Sequence, residues 1–203
     1  MLHPTLSLSH RGARVARAPL PLASLRFLAP ALLIVALALP WWQIGMVAPQ
    51  YPQGLHVTTW FFAVTGDVGE VDELNHYIGF MPLADVAHIE RVAAYALGPL
   101  FVLLLAFGLF AKSRWAWLAS LPAISLPVCF VADLAGWLSY AGHHLDPHAA
   151  LSTSVAPWTP RLFGEGGVGQ FHTFSAFGIG FYLAVAAAAL AVIELLRRRK
   201  AAR

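Results

Sequence analysis

Charge is scarce in this chain. Only 11% of its 203 residues are Asp, Glu, Lys or Arg, where soluble domains average about 25%. Cysteine is scarcer still, with Cys129 alone. The first shortage excludes an ordinary soluble globule, a disordered tail and a coiled coil. The second excludes an intrachain disulfide framework, a zinc ribbon, a four-thiolate iron–sulfur cluster and a CxxCH haem attachment. Catalytic signatures are missing too. No HExxH pair occurs, no Ser–His–Asp or Cys–His arrangement is readable, and no Walker lysine follows the glycines of residues 164–169. The chain therefore reads as non-enzymatic. The absence of an internal repeat argues against a complete transporter, although a small transporter subunit stays among the alternatives.

What is present is apolar. Residues of the Ala, Val, Ile, Leu, Met, Phe, Trp, Tyr and Cys set make up 59% of the chain, and the mean hydropathy is +0.66. A bilayer core of about 30 Å needs roughly 20 apolar residues in helix. Four segments meet that length: residues 25–46, 92–111, 115–141 and 173–196. The expected fold is an all-α integral membrane protein. Its four-helix transmembrane bundle (25–196) carries two long outer loops (47–90 and 142–172) that form a small cap with a short β-hairpin. Residues 1–24 make an N-terminal arm and 197–203 a basic tail. Span one also resembles a secretory signal with Ala36-Leu37-Ala38 as a cleavage site, but its apolar run continues to Met46, which favours a retained anchor.

The cations set an orientation. Eleven of the thirteen lie in the arm, at Arg26 where span one starts, in the 112–114 turn or in the tail, and only Arg91 and Arg161 lie on the other side. The positive-inside rule then places the chain in the cytoplasmic (inner) membrane, with both termini cytoplasmic and both long loops periplasmic. The basic excess is an orientation signal that touches anionic lipid, with no nucleic-acid partner implied.

Seven of the nine histidines fall in the outer segments. Imidazole suits copper, zinc and iron, and thioether sulfur suits Cu(I). His76, His143, His144, His148 and Met81 are accordingly the candidate metal ligands, with copper the candidate ion, against the alternative that they are interfacial and packing residues. His88 and His172, near the outer ends of spans two and four, are the candidates for a haem b or quinol site in an alternative redox-subunit reading. Asp133 lies inside span three, where an ionisable group costs a few kcal/mol and normally meets a partner or water. It is either part of a proton or metal relay, through the helical face it shares with Trp137 and Tyr140 to His143 or His144, or a hydrogen-bond anchor to Tyr95 or a histidine. The loop residues 56–64 read as a strand, Thr65-Gly66-Asp67 as a turn and 68–71 as a short partner strand. Asp72 reads as the N-cap of a helix over 73–78 closed by Gly79. The acidic group Asp67, Glu70, Asp72 and Glu73 reads as a solvated face or a dock for a basic partner.

Several strings carry a resemblance. Met46-Val-Ala-Pro-Gln-Tyr-Pro-Gln-Gly-Leu55, Gly66-Asp-Val, Leu74-Asn-His-Tyr-Ile-Gly79 and Tyr140-Ala-Gly-His-His-Leu-Asp-Pro147 together resemble the NosB-type four-span proteins encoded beside atypical (clade II) nitrous oxide reductases. The similarity covers most of residues 25–196, with Phe80 standing where a methionine is expected. It implies an accessory role in nitrous oxide respiration: anchoring or docking a periplasmic copper reductase, or a related redox protein, and aiding copper or electron supply.

Overall fold

The computed structural model describes residues 24–201, so most of the N-terminal arm and the last two residues of the tail lie outside the described residues. The chain runs α1 (Ser24–Leu37), β1 (Trp42–Ala48), β2 (Tyr51–Thr59), β3 (Val64–Gly66), α2 (Val68–Ile78), α3 (His88–Phe110), a 3-10 turn (Ala116–Ser120), α4 (Leu121–His143), β4 (Gly164–Val168), β5 (Phe171–Phe177) and α5 (Ile179–Ala201). The strands form one antiparallel sheet in the order β3-β2-β1-β5-β4. The fold is mixed α/β. This corrects the expected all-α four-helix bundle with its small hairpin. Three helices are long and apolar enough to cross a membrane: α3, α4 with its preceding turn, and α5. The 14 residues of α1 rise only about 21 Å at 1.5 Å each.

Expected span one is shortened to α1 and expected span four starts later, as α5, for one reason. Their apolar runs are part helix and part strand. Helix α1 stops at Leu37, where Ala38 and Leu39 donate to Val35 and Ala36 carbonyls three residues back and Pro40 follows without an N–H to continue the ladder. Residues 42–46 then join β1. At the other end, residues 173–177 belong to β5, and α5 begins only at Ile179. Their alternation shows the period of a strand: Thr173 and Ser175 are buried while His172, Phe174 and Ala176 are exposed.

Local readings in the first outer segment change as well. Residues 68–71, expected as a strand, form the first turn of α2. The strand expected over 56–64 ends at Thr59, and Thr65 and Gly66, expected in a turn, form edge strand β3 with Val64. Asp72 lies inside α2 and is not its N-cap. Its Oδ1 accepts a hydrogen bond from the Leu83 backbone N–H at 2.7 Å, which holds the chain beyond the helix against it.

The helix pair α1–α5 continues directly into the strand pair β1–β5. Trp42 stands opposite Phe177, and Val47 opposite His172. At the junction the Gly178 N–H donates to Trp41 O at 2.9 Å and the Gly180 N–H to Pro40 O at 2.8 Å. A Cβ on Gly180 would stand 2.6 Å from Leu39 O and 2.7 Å from Ala36 O, so the close approach requires glycine. Trp41 is fully buried there. Its indole donates to Ala36 O at 2.9 Å, and its ring meets Phe61 and Phe130 with centroids 5.2 and 4.9 Å apart.

The opposite end of the pair is closed by charge. Glu194 is 2% exposed, yet it lies on α5 among apolar residues. Arg26 Nε of α1 donates to its Oε1 at 2.6 Å, and Arg198 Nε, one turn on, lies 3.5 Å away. Arg198 Nη1 also reaches Gly108 O of α3 at 3.3 Å. One buried acid thus ties three helices. Each arginine keeps partial access to solvent; the glutamate has none to speak of.

That asymmetry fixes an order of stabilities. The double substitution Arg26→Ala/Arg198→Ala strands a buried carboxylate and costs about 3–5 kcal/mol. Glu194→Gln, which leaves two cations able to turn to water, costs about 1–2 kcal/mol. Thermal unfolding of the three proteins in one mild detergent checks the order: the double variant melts lowest.

Candidate functional site

A cavity of about 750 Å³ opens between the sheet and the outer end of the helices, within the roughly 300–1,000 Å³ of ligand pockets. Each wall follows from local structure. The floor is the sheet face bearing Ile44, Met46, Val57 and Thr173. Leu74 and Asn75 of α2 make one side, and Leu134, Trp137 and Leu138 of α4 another. Helix α2 is amphipathic and buries Val71 against Leu55 and Val57, which seats it on the floor without filling the space. The roof is Trp158 and its neighbours.

The roof is held by the chain crossing itself. The Asp146 N–H donates to Gly79 O at 2.8 Å and the Leu151 N–H to Tyr77 O at 2.9 Å, while Trp158 packs on Phe80 with centroids 5.6 Å apart. Gly79 ends α2 in the left-handed conformation, φ 78°. The strings 74–79 and 140–147 therefore meet here, and Asn75, Tyr77 and Ala141 from them line the cavity, together with Met46 from 46–55. Polar lining groups include Gln50, Thr59, Asn75, Thr173 and Gln170; no Asp, Glu or His lines it, and Arg161 is its one charged residue.

The expected ligand residues lie elsewhere. Among the described residues no three His, Cys, Asp or Glu side chains are grouped so as to hold a metal ion. His76, His143, His144 and His148 are all exposed. His143 and His144 each engage Nδ1 with the carbonyl four residues back, at 2.8 Å, and His144 stacks on Tyr140 at 4.0 Å. Met81 is half-buried beside α2. His88 opens α3 and His172 lies on the sheet face away from α2; both are exposed, and neither lies buried among the helices as an axial haem ligand would.

Asp133 is exposed on the side of α4 and makes no side-chain hydrogen bond among the described residues. One turn on, Trp137 Nε1 donates to Glu90 Oε1 at 3.4 Å. Tyr95, one expected partner of Asp133, stacks on Phe62 instead. In the acidic group, Asp67 Oδ2 accepts from the His56 backbone N–H at 2.7 Å, so two of its four carboxylates, Asp67 and Asp72, brace the fold. The sequence reading passed over the cavity because its walls come from positions 42 to 173. The strings 46–55, 74–79 and 140–147 each supply part of its lining.

The opposite sheet face is open. It presents Gln43, Val47, His56, Glu165, His172 and Phe174, all exposed, with Phe174 49% so. No family model matches this chain, and no curated protein matches it.

Gly79→Ala places a side chain in a left-handed site, costing about 1–2 kcal/mol, and sets its Cβ 2.6 Å from the Asp146 carbonyl oxygen. It should loosen the roof, seen as new protease cleavage within residues 146–160. Gly69→Ala, on the same helix with nothing within 4 Å of the added carbon, should leave the cleavage pattern unchanged.

Proposed function

We propose that this is an integral membrane accessory protein that docks a periplasmic redox partner on the open face of its sheet, in the setting of nitrous oxide respiration that the sequence resemblance implies. The observation that carries the reading is the exposed face itself. Strands at a sheet centre normally bury aromatic residues, yet β5 turns Phe174 outward and Thr173 and Ser175 inward. Phe174 and Val47 make an apolar centre ringed by His56, His172 and Glu165, the layout of a protein interface with a polar rim.

Sidedness supports it. Arg26, Lys112, Arg114 and the 197–200 run all lie at helix ends remote from the sheet, by the element order, and Arg199 covers the Trp117 ring at 4.7 Å. With that end cytoplasmic, the sheet faces the periplasm. The partner is a periplasmic nitrous oxide reductase or a related redox protein. Docking needs no metal on this chain; copper or electron supply would be a property of the complex.

Full-length protein, isolated from its native membrane in mild detergent, should bring the reductase with it. Phe174→Ala removes an interface aromatic and should weaken the isolated complex by about 2 kcal/mol or more, read as a Kd raised at least about tenfold. Wild-type protein that binds no reductase, or a Phe174→Ala variant that binds as well as wild type, overturns the assignment.

A further inference from the structure

We propose that the 750 Å³ cavity binds one alkyl chain of an anionic amphiphile, with the acidic headgroup held at its mouth by Arg161. This stands apart from the docking proposal, which uses the other face of the sheet. Three features of the cavity converge on that ligand.

The first is the wall. It is built mainly from aliphatic and aromatic side chains, and its polar groups are neutral amides and hydroxyls. Such a lining takes a long apolar chain and would penalise a buried charge. The second is position. Leu134, Trp137 and Leu138 belong to the last three turns of α4, a helix long and apolar enough to cross a membrane. Trp137 has the place of an interfacial anchor. The cavity therefore borders the outer end of a helix long and apolar enough to cross a membrane, the side from which a lipid chain would come.

The third is charge. Arg161 both lines the cavity and is exposed, so it stands at the opening. Its methylene stem lies over Gly166 beside Thr173, where a Cβ on the glycine would be 3.4 Å from Arg161 Cγ and 2.9 Å from Thr173 Oγ1. Among the described residues its guanidinium pairs with no carboxylate. The segment that carries it is fixed by Trp42, whose indole donates to Leu162 O at 2.7 Å. One cation at the mouth and no acid in the lining select a carboxylate or phosphate headgroup. They disfavour a quinol, whose oxidation needs a proton acceptor such as His, Asp or Glu.

The chemistry is shared by a free fatty acid and an anionic phospholipid, and competition separates them. Full-length protein in phosphatidylcholine nanodiscs is titrated with cis-parinaric acid, and energy transfer from tryptophan to the polyene is read. Empty nanodiscs and cis-parinaric methyl ester are the controls. Binding should saturate, and Arg161→Gln should raise the Kd about tenfold or more, the worth of a charged hydrogen bond, while leaving the methyl ester unaffected. Arg161 is exposed, so an unchanged melting temperature verifies the fold of the variant. Displacement by palmitate but not by phosphatidylglycerol names the free acid as ligand; the reverse names the phospholipid. Unsaturable transfer, equal affinity of acid and ester, or an Arg161→Gln variant that binds the acid as wild type does would overturn the proposal.

Discussion

The antiparallel packing of α1 on α5 is the constraint on which the rest of the molecule depends. It is held at both ends by different physics. At one end a buried carboxylate, Glu194, is neutralised by Arg26 and Arg198. At the other, Gly178 and Gly180 let the backbone of α5 reach Pro40 and Trp41 within hydrogen-bond distance. Because β1 leaves α1 and β5 enters α5, the helix pairing dictates the strand pairing. Residues 42 and 177, the first pair of the ladder next to the helices, stand opposite each other. The remaining strands then add by hairpins, β2 and β3 on one side and β4 on the other. An ion pair alone would not earn this role, since burying charge is costly and often no better than apolar packing. Its contribution is register. Glu194 meets Arg26 at the same axial offset at which the glycine junction closes.

Much of the helical part was legible from residue counts. The spans over 92–111 and 115–141 correspond to α3 and α4 within a few residues, because a run of more than twenty apolar residues in uniform surroundings has no other way to satisfy its backbone in lipid. The sheet was legible only where it alternates against polar neighbours, at residues 56–59. It was hidden at 42–46 and 173–177, where strand residues directly adjoin helix residues of equal hydropathy. A hydropathy sum cannot see the change of period there. Pro40 and Gly178 were the available marks, and each has an innocent reading inside a membrane helix.

The site was less legible than the fold. Histidine is conspicuous by type, so the sequence reading gathered His76, His143, His144 and His148 into a candidate cluster. The structure leaves them exposed, and two of them turn Nδ1 back onto their own helix. A metal site needs convergence, which depends on backbone paths that spacing alone does not report. The cavity has the opposite character. Its residues are ordinary one by one, and what makes them a site is α2 being seated on the floor by Val71 while Gly79 and Trp158 hold the roof above it. The strings 46–55, 74–79 and 140–147 supply part of its lining, although none of their individual residue types announces a pocket.

The two proposed surfaces share a strand. Along β5 the side chains alternate: Thr173 faces the cavity and Phe174 faces outward. Neighbouring residues on a strand cannot move independently, because a shift of one re-aims the other across the pleat. Strand β5 is also the one that runs through Gly178 into α5 and so to Glu194. Strand β5 thus joins the two proposed surfaces to an element that is anchored in the bundle at one end. Behind the same strand the buried Ser175 hydroxyl has no partner among the described residues, so the inner side of β5 is held by packing rather than by a side-chain hydrogen bond.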